Sequence, residues 1–303
     1  MHYDVLIAGG GPAGLSAALM LGRARKRVLL TDAGVPRNAR AHELHGFVTR
    51  DGTAPAEFRR IAREQLAAYP NVELGESLVR SVTGERGAFH VELASGAVQA
   101  RRVLLCLGMI DDMLPLPGYR ELWGKSIFQC PYCHGWEVRD RAFGLLALAP
   151  ELLEHALFFK GWSHNLVVLT DGRYAVPPEV RGRLLSANVS IEERTLRALV
   201  KSPDGEQLQA IELQDGERLA CEVLFSHPPQ RQTPLVDALG LELDALGCVR
   251  VDERGESSLA GVFAAGDLTT RMQSALFAAS TAALAGHWIN FTLTLERAGS
   301  AHG

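Results

Sequence analysis

The chain of 303 residues lacks an excess of either charge: it has 31 basic and 35 acidic residues and a formal net charge of −4. A general nucleic-acid-binding protein usually carries a basic excess or a basic stripe, so this balance argues against that class. Lysine is scarce, since only four of the basic residues are lysines. Hydrophobic residues make up 47% of the chain and charged residues 22%, which excludes a disordered protein and is ordinary for a globular one.

Cysteine is also scarce, because five cysteines are too few for a disulfide scaffold in a chain of this length. The N-terminus has no basic region and carries Asp4 where a signal peptide is apolar, so we expect a cytoplasmic protein. The stretch from Met272 to Leu295 has no charged side chain, yet it holds eight polar residues. We therefore expect a buried core helix there and no membrane span.

The chain begins with a pattern of strand, turn, helix and strand. Residues 3–8 form an apolar run typical of a buried strand, residues 13–23 predict a helix and residues 27–31 a second strand. The turn between the first strand and the helix satisfies G-x-G-x-x-G and reads Gly9-Gly10-Gly11-Pro12-Ala13-Gly14. Glycines in this context are typical of dinucleotide-binding folds.

Each glycine of the turn has a separate purpose in such a fold. Gly9 permits the tight turn, Gly11 lets the backbone approach a pyrophosphate, and Gly14 lets the helix pack on the strand. The helix N-terminus offers N–H groups to the phosphates. Asp32 closes the second strand and can accept a hydrogen bond from a ribose hydroxyl. The candidate cofactor residues of this segment are Gly9, Gly11, Pro12, Ala13, Gly14 and Asp32.

A second segment lies near the C-terminus, where the apolar run 259–265 ends in Gly266-Asp267 before the uncharged stretch. This arrangement resembles the second FAD fingerprint of flavoproteins that have two dinucleotide domains. The resemblance implies FAD as the cofactor, with Gly266, Asp267 and Gln273 as further candidate binding residues. It also implies a discontinuous FAD domain that is assembled from both ends of the chain.

The pentapeptide Cys130-Pro131-Tyr132-Cys133-His134 has several possible interpretations. C-x-x-C-H is the attachment signal of c-type haem, but that chemistry requires export. C-P-Y-C also occurs in glutaredoxins, which are small domains with the motif near the start. A zinc site needs two more ligands at short spacing, and the other three cysteines are isolated, so we expect no metal. We favour a redox-active pair, because this spacing allows a small disulfide and commonly lowers one thiol pKa.

Taken together, the motifs resemble those of the low-molecular-weight thioredoxin reductases, and most of all the dithiol oxidases of disulfide natural-product pathways of the holomycin and gliotoxin type. The resemblance covers nearly the whole chain. It is carried by Arg37-Asn38, His45-Gly46-Phe47, Arg50-Asp51-Gly52, Cys130-Pro131-Tyr132-Cys133-His134-Gly135-Trp136-Glu137 and the residues 261–267.

This resemblance implies an α/β protein with two Rossmann-like three-layer domains. The FAD domain is expected at residues 1–112 and 228–303, and the domain with the cysteine pair at residues 113–227. The family's habit also implies a homodimer.

The resemblance assigns roles to the candidate catalytic residues, with Cys130 facing the substrate and Cys133 facing the flavin. His134 stands where thioredoxin reductases have an acid–base Asp, and we expect it to shuttle thiol protons, with a polar contact at a helix start as the alternative. His45 matches a histidine of the family's flavin domain, and either flavin packing or proton transfer fits it. Trp136 could form one wall of the substrate site or pack in the core.

The family's second domain should carry its own glycine turn for NADPH, and here the glycines are missing. The strand expected at residue 143 is followed by Ala147-Leu148-Ala149 and then by a predicted helix between Pro150 and Gly161. Added Cβ atoms should obstruct a pyrophosphate. NADPH binders of the family place an arginine cluster after the next strand, whereas this chain has Asp171-Gly172-Arg173. We therefore expect NADPH not to be used, although Asp171 would still suit NADH.

The resulting prediction is an FAD-dependent oxidase that converts a small-molecule dithiol into a disulfide through Cys130 and Cys133, with O2 as acceptor and hydrogen peroxide as product. One alternative is an NAD(P)H-dependent reductase of thioredoxin or of a small disulfide. Another is a flavin-binding redox sensor without catalysis. No nucleic-acid or membrane partner is expected.

Overall fold

The structure is a computed structural model that describes residues 1–300, with side chains up to residue 296. The chain divides into two compact units. Unit 1 contains Met1–Ala39, Gly46–Ile110 and the chain from Gln230 onward, and unit 2 contains Arg40–His45 and Asp111–Pro229. The short segment Arg40–His45 therefore belongs to unit 2, which its place in the sequence did not indicate.

The helices and strands follow one another in a mixed α/β order. The strands are β1 (His2–Ala8), β2 (Val28–Thr31), β3 (Val72–Gly75), β4 (Val79–Thr83), β5 (Phe89–Leu93), β6 (Gly96–Leu105), β7 (Ile110–Asp111), β8 (Ile127–Phe128), β9 (Phe143–Leu146), β10 (Leu166–Leu169), β11 (Ser190–Glu192), β12 (Leu196–Lys201), β13 (Leu208–Leu213), β14 (Arg218–Ala220), β15 (Val223–Ser226), β16 (Gln230–Arg231) and β17 (Val262–Ala264). The α-helices are α1 (Pro12–Arg23), α2 (Pro55–Leu66), α3 (Tyr119–Leu122), α4 (Pro131–His134), α5 (His155–Phe159), α6 (Pro178–Ser186), α7 (Pro234–Leu239) and α8 (Ala275–Ser300). Two 3₁₀ helices cover Pro150–Leu152 and Gly266–Thr269.

Unit 1 is built on one sheet with the strand order β3-β2-β1-β6-β5-β4, in which β17 also pairs with β6. The first part of β6 pairs antiparallel with β5, and its last three residues pair parallel with β17. Because β1, β6 and β17 are mutually parallel, their carboxyl ends lie at the same edge of the sheet. Ligands of open parallel sheets bind at this edge.

Helix α8 accounts for the uncharged stretch near the C-terminus. One side of α8 packs with α1 through small residues, since Ala282 and Ala285 of α8 and Ala17 of α1 are fully buried. The other side exposes Phe277, Leu284 and Phe291. The predicted core helix is thus buried along one face only. No helix in the described part of the chain is long and apolar enough to span a membrane.

Unit 2 has a five-stranded sheet with the order β11-β10-β9-β15-β8, whose recorded pairs are all parallel. One face packs on the helices through residues such as Leu153, Phe159 and Leu184. The other face packs on an antiparallel sheet, β12-β13-β14, through residues such as Ile211 and Leu213. Unit 2 is therefore a three-layer fold around a parallel sheet.

The segment after β9 differs from the continuous helix that the sequence predicts. It consists of the 3₁₀ turn Pro150–Leu152 and the five-residue helix α5. Leu153, Ala156 and Phe159 are buried at a spacing of three residues. Leu153 follows the 3₁₀ turn and the other two lie in α5, so one buried face runs across both elements.

Candidate active site

The glycine turn after β1 is as tight as the motif predicts. A Cβ atom on Gly9 would lie 2.2 Å from the Cys106 carbonyl oxygen, and one on Gly14 would lie 1.9 Å from the Gly9 carbonyl oxygen. Gly9 also has a φ of +107°, which favours glycine. Gly11, in contrast, has no atom within 4 Å of the position where a Cβ would stand. Gly9 and Gly14 thus serve the packing of the turn itself, whereas Gly11 leaves open space.

The surroundings of this open space suit a dinucleotide. Helix α1 begins there with Pro12 at its first position, without a side-chain cap and without an acidic residue in its first turn. Its N–H groups and dipole therefore remain available to an anion. The Asp32 carboxylate stands beside the turn, where a Cβ on Gly10 would approach it to 2.5 Å, and it accepts a hydrogen bond from the Gly34 N–H at 3.1 Å. A phosphate cradle next to a carboxylate fits the pyrophosphate and ribose of FAD.

The C-terminal segment reaches the same turn, because β17 and β1 both lie next to β6. Gly266 has a φ of +80°, and a Cβ on it would lie 3.2 Å from the Ala13 Cβ. The next residue, Asp267, pairs with the Arg37 guanidinium at 3.1 Å. The same Arg37 group donates a hydrogen bond to the Gln273 side-chain oxygen at 2.7 Å. Arg37 was noted in the sequence only as part of the family resemblance, and its link to Asp267 and Gln273 spans more than 200 residues.

The redox motif lies in unit 2, where Cys130 and Cys133 form a disulfide. Cys133 belongs to the short helix α4, which begins with Pro131, and Cys130 is its N-terminal cap. Both cysteines are partly exposed, so small thiols can reach the motif. The other three cysteines, Cys106, Cys221 and Cys248, are free and buried. Burial raises the pKa of the Cys221 thiol to about 12, which makes it unreactive.

His134 is the last residue of the four-residue helix α4, whose N-terminal cap is Cys130. Its imidazole stacks on Phe128, with ring centroids 4.3 Å apart and planes 13° apart. Both ring nitrogens are buried and make no hydrogen bond of standard geometry, although the Cys130 backbone lies close enough to affect the ring. The pKa of His134 is lowered to about 4, chiefly by burial and also by electrostatic repulsion from His45, while a backbone hydrogen bond with Cys130 opposes both effects. The ring is therefore neutral at pH 7 while the disulfide is intact.

His45, a candidate flavin-binding residue from the sequence, belongs to unit 2, which also contains Cys130 and Cys133. Its Nε2 is 3.4 Å from a Glu43 carboxylate oxygen and 3.6 Å from a Glu137 carboxylate oxygen. Glu137 ends the octapeptide that carries the family resemblance. The sequence contained both residues of this contact but no signal that connected them.

The second nucleotide turn, after β9, is closed. Ala147 is fully buried, and its carbonyl oxygen accepts a hydrogen bond from the Tyr174 hydroxyl at 2.9 Å. Burial, reinforced by the Glu151 charge, raises the pKa of Tyr174 to about 12, so the hydroxyl stays a donor. Asp171 accepts a hydrogen bond from the Leu196 N–H at 2.9 Å, which ties its carboxylate to the neighbouring loop. Helix α5 is too short to provide a phosphate site at its N-terminus.

Trp136 does not pack in the core, because its side chain is 66% exposed, with the Arg139 guanidinium over its face. Among the residues whose side chains are described, no group of three or more His, Cys, Asp or Glu is arranged to hold a metal ion.

A glycine turn open to a dinucleotide, a second parallel-sheet fold and a reachable disulfide define a disulfide oxidoreductase built on nucleotide-binding folds. The chain belongs to the pyridine nucleotide-disulphide oxidoreductase family, whose model matches residues 3–150 and 174–282. The residues between the two matched segments begin within the 3₁₀ turn after β9 and include α5 and β10. Membership in the family implies a bound flavin, in agreement with the cradle at Gly11.

Similar proteins confirm the predicted resemblance and fold class. Thioredoxin reductase tcpT of Claviceps purpurea is 36% identical over 276 residues, which cover 87% of this chain and 86% of that protein. The crystal structure of HlmI has a TM-score of 0.91 and 35% identity, and the match covers 99% of this chain and 95% of that one. The putative thioredoxin reductase TrxB of Bacillus anthracis has a TM-score of 0.90 and 33% identity, with 97% and 99% covered. The protein is a thioredoxin reductase-like enzyme.

Proposed function

We propose that the protein is an FAD-dependent dithiol oxidase, which converts a small-molecule dithiol into its disulfide and passes the electrons to molecular oxygen. The observation that carries this proposal is the difference between the two nucleotide turns of one chain. The first turn is open at Gly11. The second is closed at Ala147, where Tyr174 bonds to the backbone that a pyrophosphate would approach. With no nicotinamide donor, the electrons must enter from the thiol side.

The exchange chemistry starts at the disulfide. A substrate thiolate attacks Sγ of Cys130, the residue that the family resemblance assigns to the substrate, and Cys133 leaves as a thiolate. The second substrate thiolate then attacks the substrate sulfur of this mixed disulfide. The cyclic disulfide departs, and Cys130 is released as a thiolate. The substrate has lost two electrons and two protons, and the cysteine pair has gained the two electrons.

A bound flavin supplies a two-electron acceptor for the reduced cysteine pair and a reductant for oxygen, which takes two protons and leaves as hydrogen peroxide. The residues that would hold it are those around the turn at Gly11, together with Asp32, Gly266 and Asp267. The ion pair with Arg37 already orients Asp267, so the Asp267 side chain loses little conformational freedom when the cofactor binds.

His134 is the proton acceptor that the motif offers. Its ring is neutral while Cys130 and Cys133 are joined, and the backbone contact with Cys130 favours the protonated ring. A thiolate formed beside a buried imidazole favours the protonated ring, because opposite charges attract strongly away from water. We propose that His134 takes up the thiol proton when the disulfide opens and releases it when the pair is oxidised again.

The exposed apolar face of α8 supports the homodimer. Phe277, Leu284 and Phe291 recur every seven residues and leave one side of a 26-residue helix uncovered. A second copy of the chain offers the same stripe, and helices with apolar residues at this spacing pack along their length. We also propose a cytoplasmic location, because the reducing cytoplasm keeps cysteines free and three cysteines here are free.

The test is anaerobic reduction of the purified yellow protein, followed by flavin absorbance. We expect a dithiol such as dithiothreitol to bleach the flavin, NADPH and NADH to leave it oxidised, and air to restore the colour with one hydrogen peroxide per dithiol. Cys130→Ser should abolish the bleaching. Cys133→Ser leaves Cys130 as a free thiol, and its thiolate should open the disulfide form of the substrate to give a mixed disulfide and one substrate thiol, detectable by mass spectrometry.

The second candidate is a reductase, which the name of the relative tcpT favours. Rapid bleaching by NADPH or NADH, together with no bleaching by dithiols, would establish the reductase and overturn the oxidase.

A further inference from the structure

Three aromatic side chains of unit 2 form a surface cluster beside the redox disulfide. Tyr132 stands between the two cysteines in the sequence, Phe158 belongs to α5, and Trp162 follows α5. The Tyr132 ring centroid is 5.6 Å from that of Phe158 and 5.3 Å from that of Trp162, and the latter two are 5.1 Å apart. We call Tyr132, Phe158 and Trp162 the aromatic patch.

The patch is exposed even though its rings contact one another. Tyr132 is 71% exposed and Phe158 is 45% exposed. The neighbouring Leu157 is also exposed, at 39%. The rings are held in place from below, because Gly135 lets Trp162 lie against α4: a Cβ there would come within 2.7 Å of the indole. A fixed group of half-exposed rings presents a ready apolar surface.

The position of α5 links the patch to the closed nucleotide turn. Leu153, Ala156 and Phe159 are buried, and α5 leaves Leu157 and Phe158 facing solvent. The segment that would begin a phosphate-binding helix in a nucleotide fold therefore supplies an apolar side chain, Phe158, that contacts Tyr132 of the redox motif.

We propose that the aromatic patch binds the apolar ring system of the dithiol substrate while its sulfur atoms react at Cys130. This inference rests on the proposed oxidase function and names its substrate class: a dithiol carried on a flat apolar or aromatic scaffold. Tyr132 lies between Pro131 and Cys133 in the redox motif, so the patch begins one residue from the reacting disulfide. A scaffold whose thiol attacks Cys130 must lie over adjacent surface, and this surface is apolar.

The size of the patch favours a small molecule over a protein partner. A large aromatic side chain offers about 150–250 Å² when fully exposed, so the exposed fractions of Tyr132 and Phe158 leave roughly 170–290 Å² for contact. A stable protein–protein interface needs about 800 Å² on each side.

The test compares two dithiols in the flavin-loaded enzyme, benzene-1,2-dimethanethiol and dithiothreitol. In the unaltered protein we expect the KM for the aromatic dithiol to be at least tenfold lower. Phe158→Ala should raise the KM for the aromatic dithiol, divided by the KM for dithiothreitol, about tenfold. Phe158→Leu should raise this ratio less. The matched control is Leu185→Ala, which removes another exposed apolar side chain of unit 2, on α6, and should leave the ratio unchanged.

A second measurement does not depend on redox chemistry. Benzene-1,2-dimethanol, the oxygen analogue, cannot exchange with a disulfide, and we expect it to bind the protein and to quench Trp162 fluorescence, with weaker binding to Phe158→Ala. Equal KM ratios in Phe158→Ala and the unaltered protein would overturn the inference while leaving the oxidase intact. If neither dithiol is oxidised, the proposed function fails, and binding of the diol still decides whether the patch takes an aromatic ligand. An effect of Phe158→Ala on thioredoxin alone would assign the patch to a protein partner and overturn the inference.

Discussion

The segments that follow β1 in unit 1 and β9 in unit 2 have the same order of strand, turn and helix, but the residues in their turns differ. After β1, glycines fold the chain so tightly that Gly11 is left facing open space. After β9, Ala147 is buried under the Tyr174 hydroxyl, and the helix that follows is broken. Strand β9 itself remains fully buried in its sheet. The contrast shows that a nucleotide fold can lose its ligand-binding turn and keep its scaffold, because the strands are held by core packing.

The largest expected effect tests whether the first turn depends on its glycines. Gly14→Ala places a Cβ 1.9 Å from the Gly9 carbonyl oxygen, so the turn must shift, and we expect a loss of about 4 kcal/mol in the free energy of unfolding. Urea unfolding measures it. Gly182→Ala in α6 is the control, since nothing lies within 4 Å of its Cβ, and it should stabilise the protein by about 0.5–1 kcal/mol. Similar unfolding free energies for the two variants would mean that the first turn does not depend on the lack of a side chain at Gly14.

The second prediction concerns the buried imidazole of His134 in unit 2. The pKa of His134 is lowered to about 4 by burial, whereas an unfolded histidine titrates near 6.5. Between these values the unfolded chain binds more protons, so stability is present above pH 6.5 and is lost as the pH falls toward 4, by about 3 kcal/mol in total. His134→Phe keeps the stacking on Phe128 and should lose correspondingly less stability between pH 7 and pH 4. Parallel curves for the two proteins would contradict the burial of the ring.

The third prediction separates folding from cofactor binding in the first turn. Gly11→Ala adds a methyl group where no protein atom lies within 4 Å, so the unfolding free energy should change by less than about 1 kcal/mol. The methyl group occupies the space for the pyrophosphate, and we expect FAD affinity to fall about 100-fold, or ~2.7 kcal/mol. Titration of the apoprotein with FAD, followed by flavin fluorescence, measures it. Unchanged affinity would mean that the open space at Gly11 is not the cradle.

A smaller effect is expected from the residue that orients Asp267. Arg37→Met removes the ion pair to Asp267 and the hydrogen bond to Gln273, and FAD affinity should fall about tenfold. Arg271→Met is the matched control, because Arg271 bonds to Gln230 in the same network without touching Asp267. The same FAD titration measures both variants. An equal loss of FAD affinity in the two would mean that removing any positive charge in this network weakens binding, whether or not it contacts Asp267.

The smallest expected effect sharpens the comparison at the second turn. Tyr174→Phe removes the hydrogen bond to the Ala147 carbonyl and should cost about 1 kcal/mol of unfolding free energy. It should not create reduction of the flavin by NADPH, because Asp171 stays tied to its loop and α5 stays short. Stopped-flow mixing with NADPH checks this, and any rapid bleaching in the variant would show that Tyr174 alone closes a functional site.

The first strand–turn–helix segment could be predicted almost residue by residue. The predicted strand 3–8 and helix 13–23 are observed as His2–Ala8 and Pro12–Arg23, because Gly9, Gly14 and Pro12 set local backbone geometry. The broken helix after β9 could not be predicted in this way. Its winding depends on which residues the sheet of unit 2 buries, and that is decided by distant parts of the chain.

The candidate site shows the same limit. Cys130, Cys133 and the glycine turn are visible as short motifs. The pairing of His45 with Glu137 joins residues nearly a hundred positions apart, and the contact of Arg37 with Asp267 joins residues more than 200 apart. No local pattern encodes such contacts, so only the folded structure reveals them.

The pairing of β17 with the end of β6 has a consequence during synthesis. The edge of β6 at Val103–Leu105 is complete only when β17 arrives, roughly 150 residues later. A ribosome adds about 5–20 residues per second, so this edge stays unpaired for on the order of ten seconds or more. An unpaired apolar edge can pair with another nascent chain. We therefore expect the yield of the protein in cells to depend on chaperones that hold the emerging chain until its last segment leaves the ribosome.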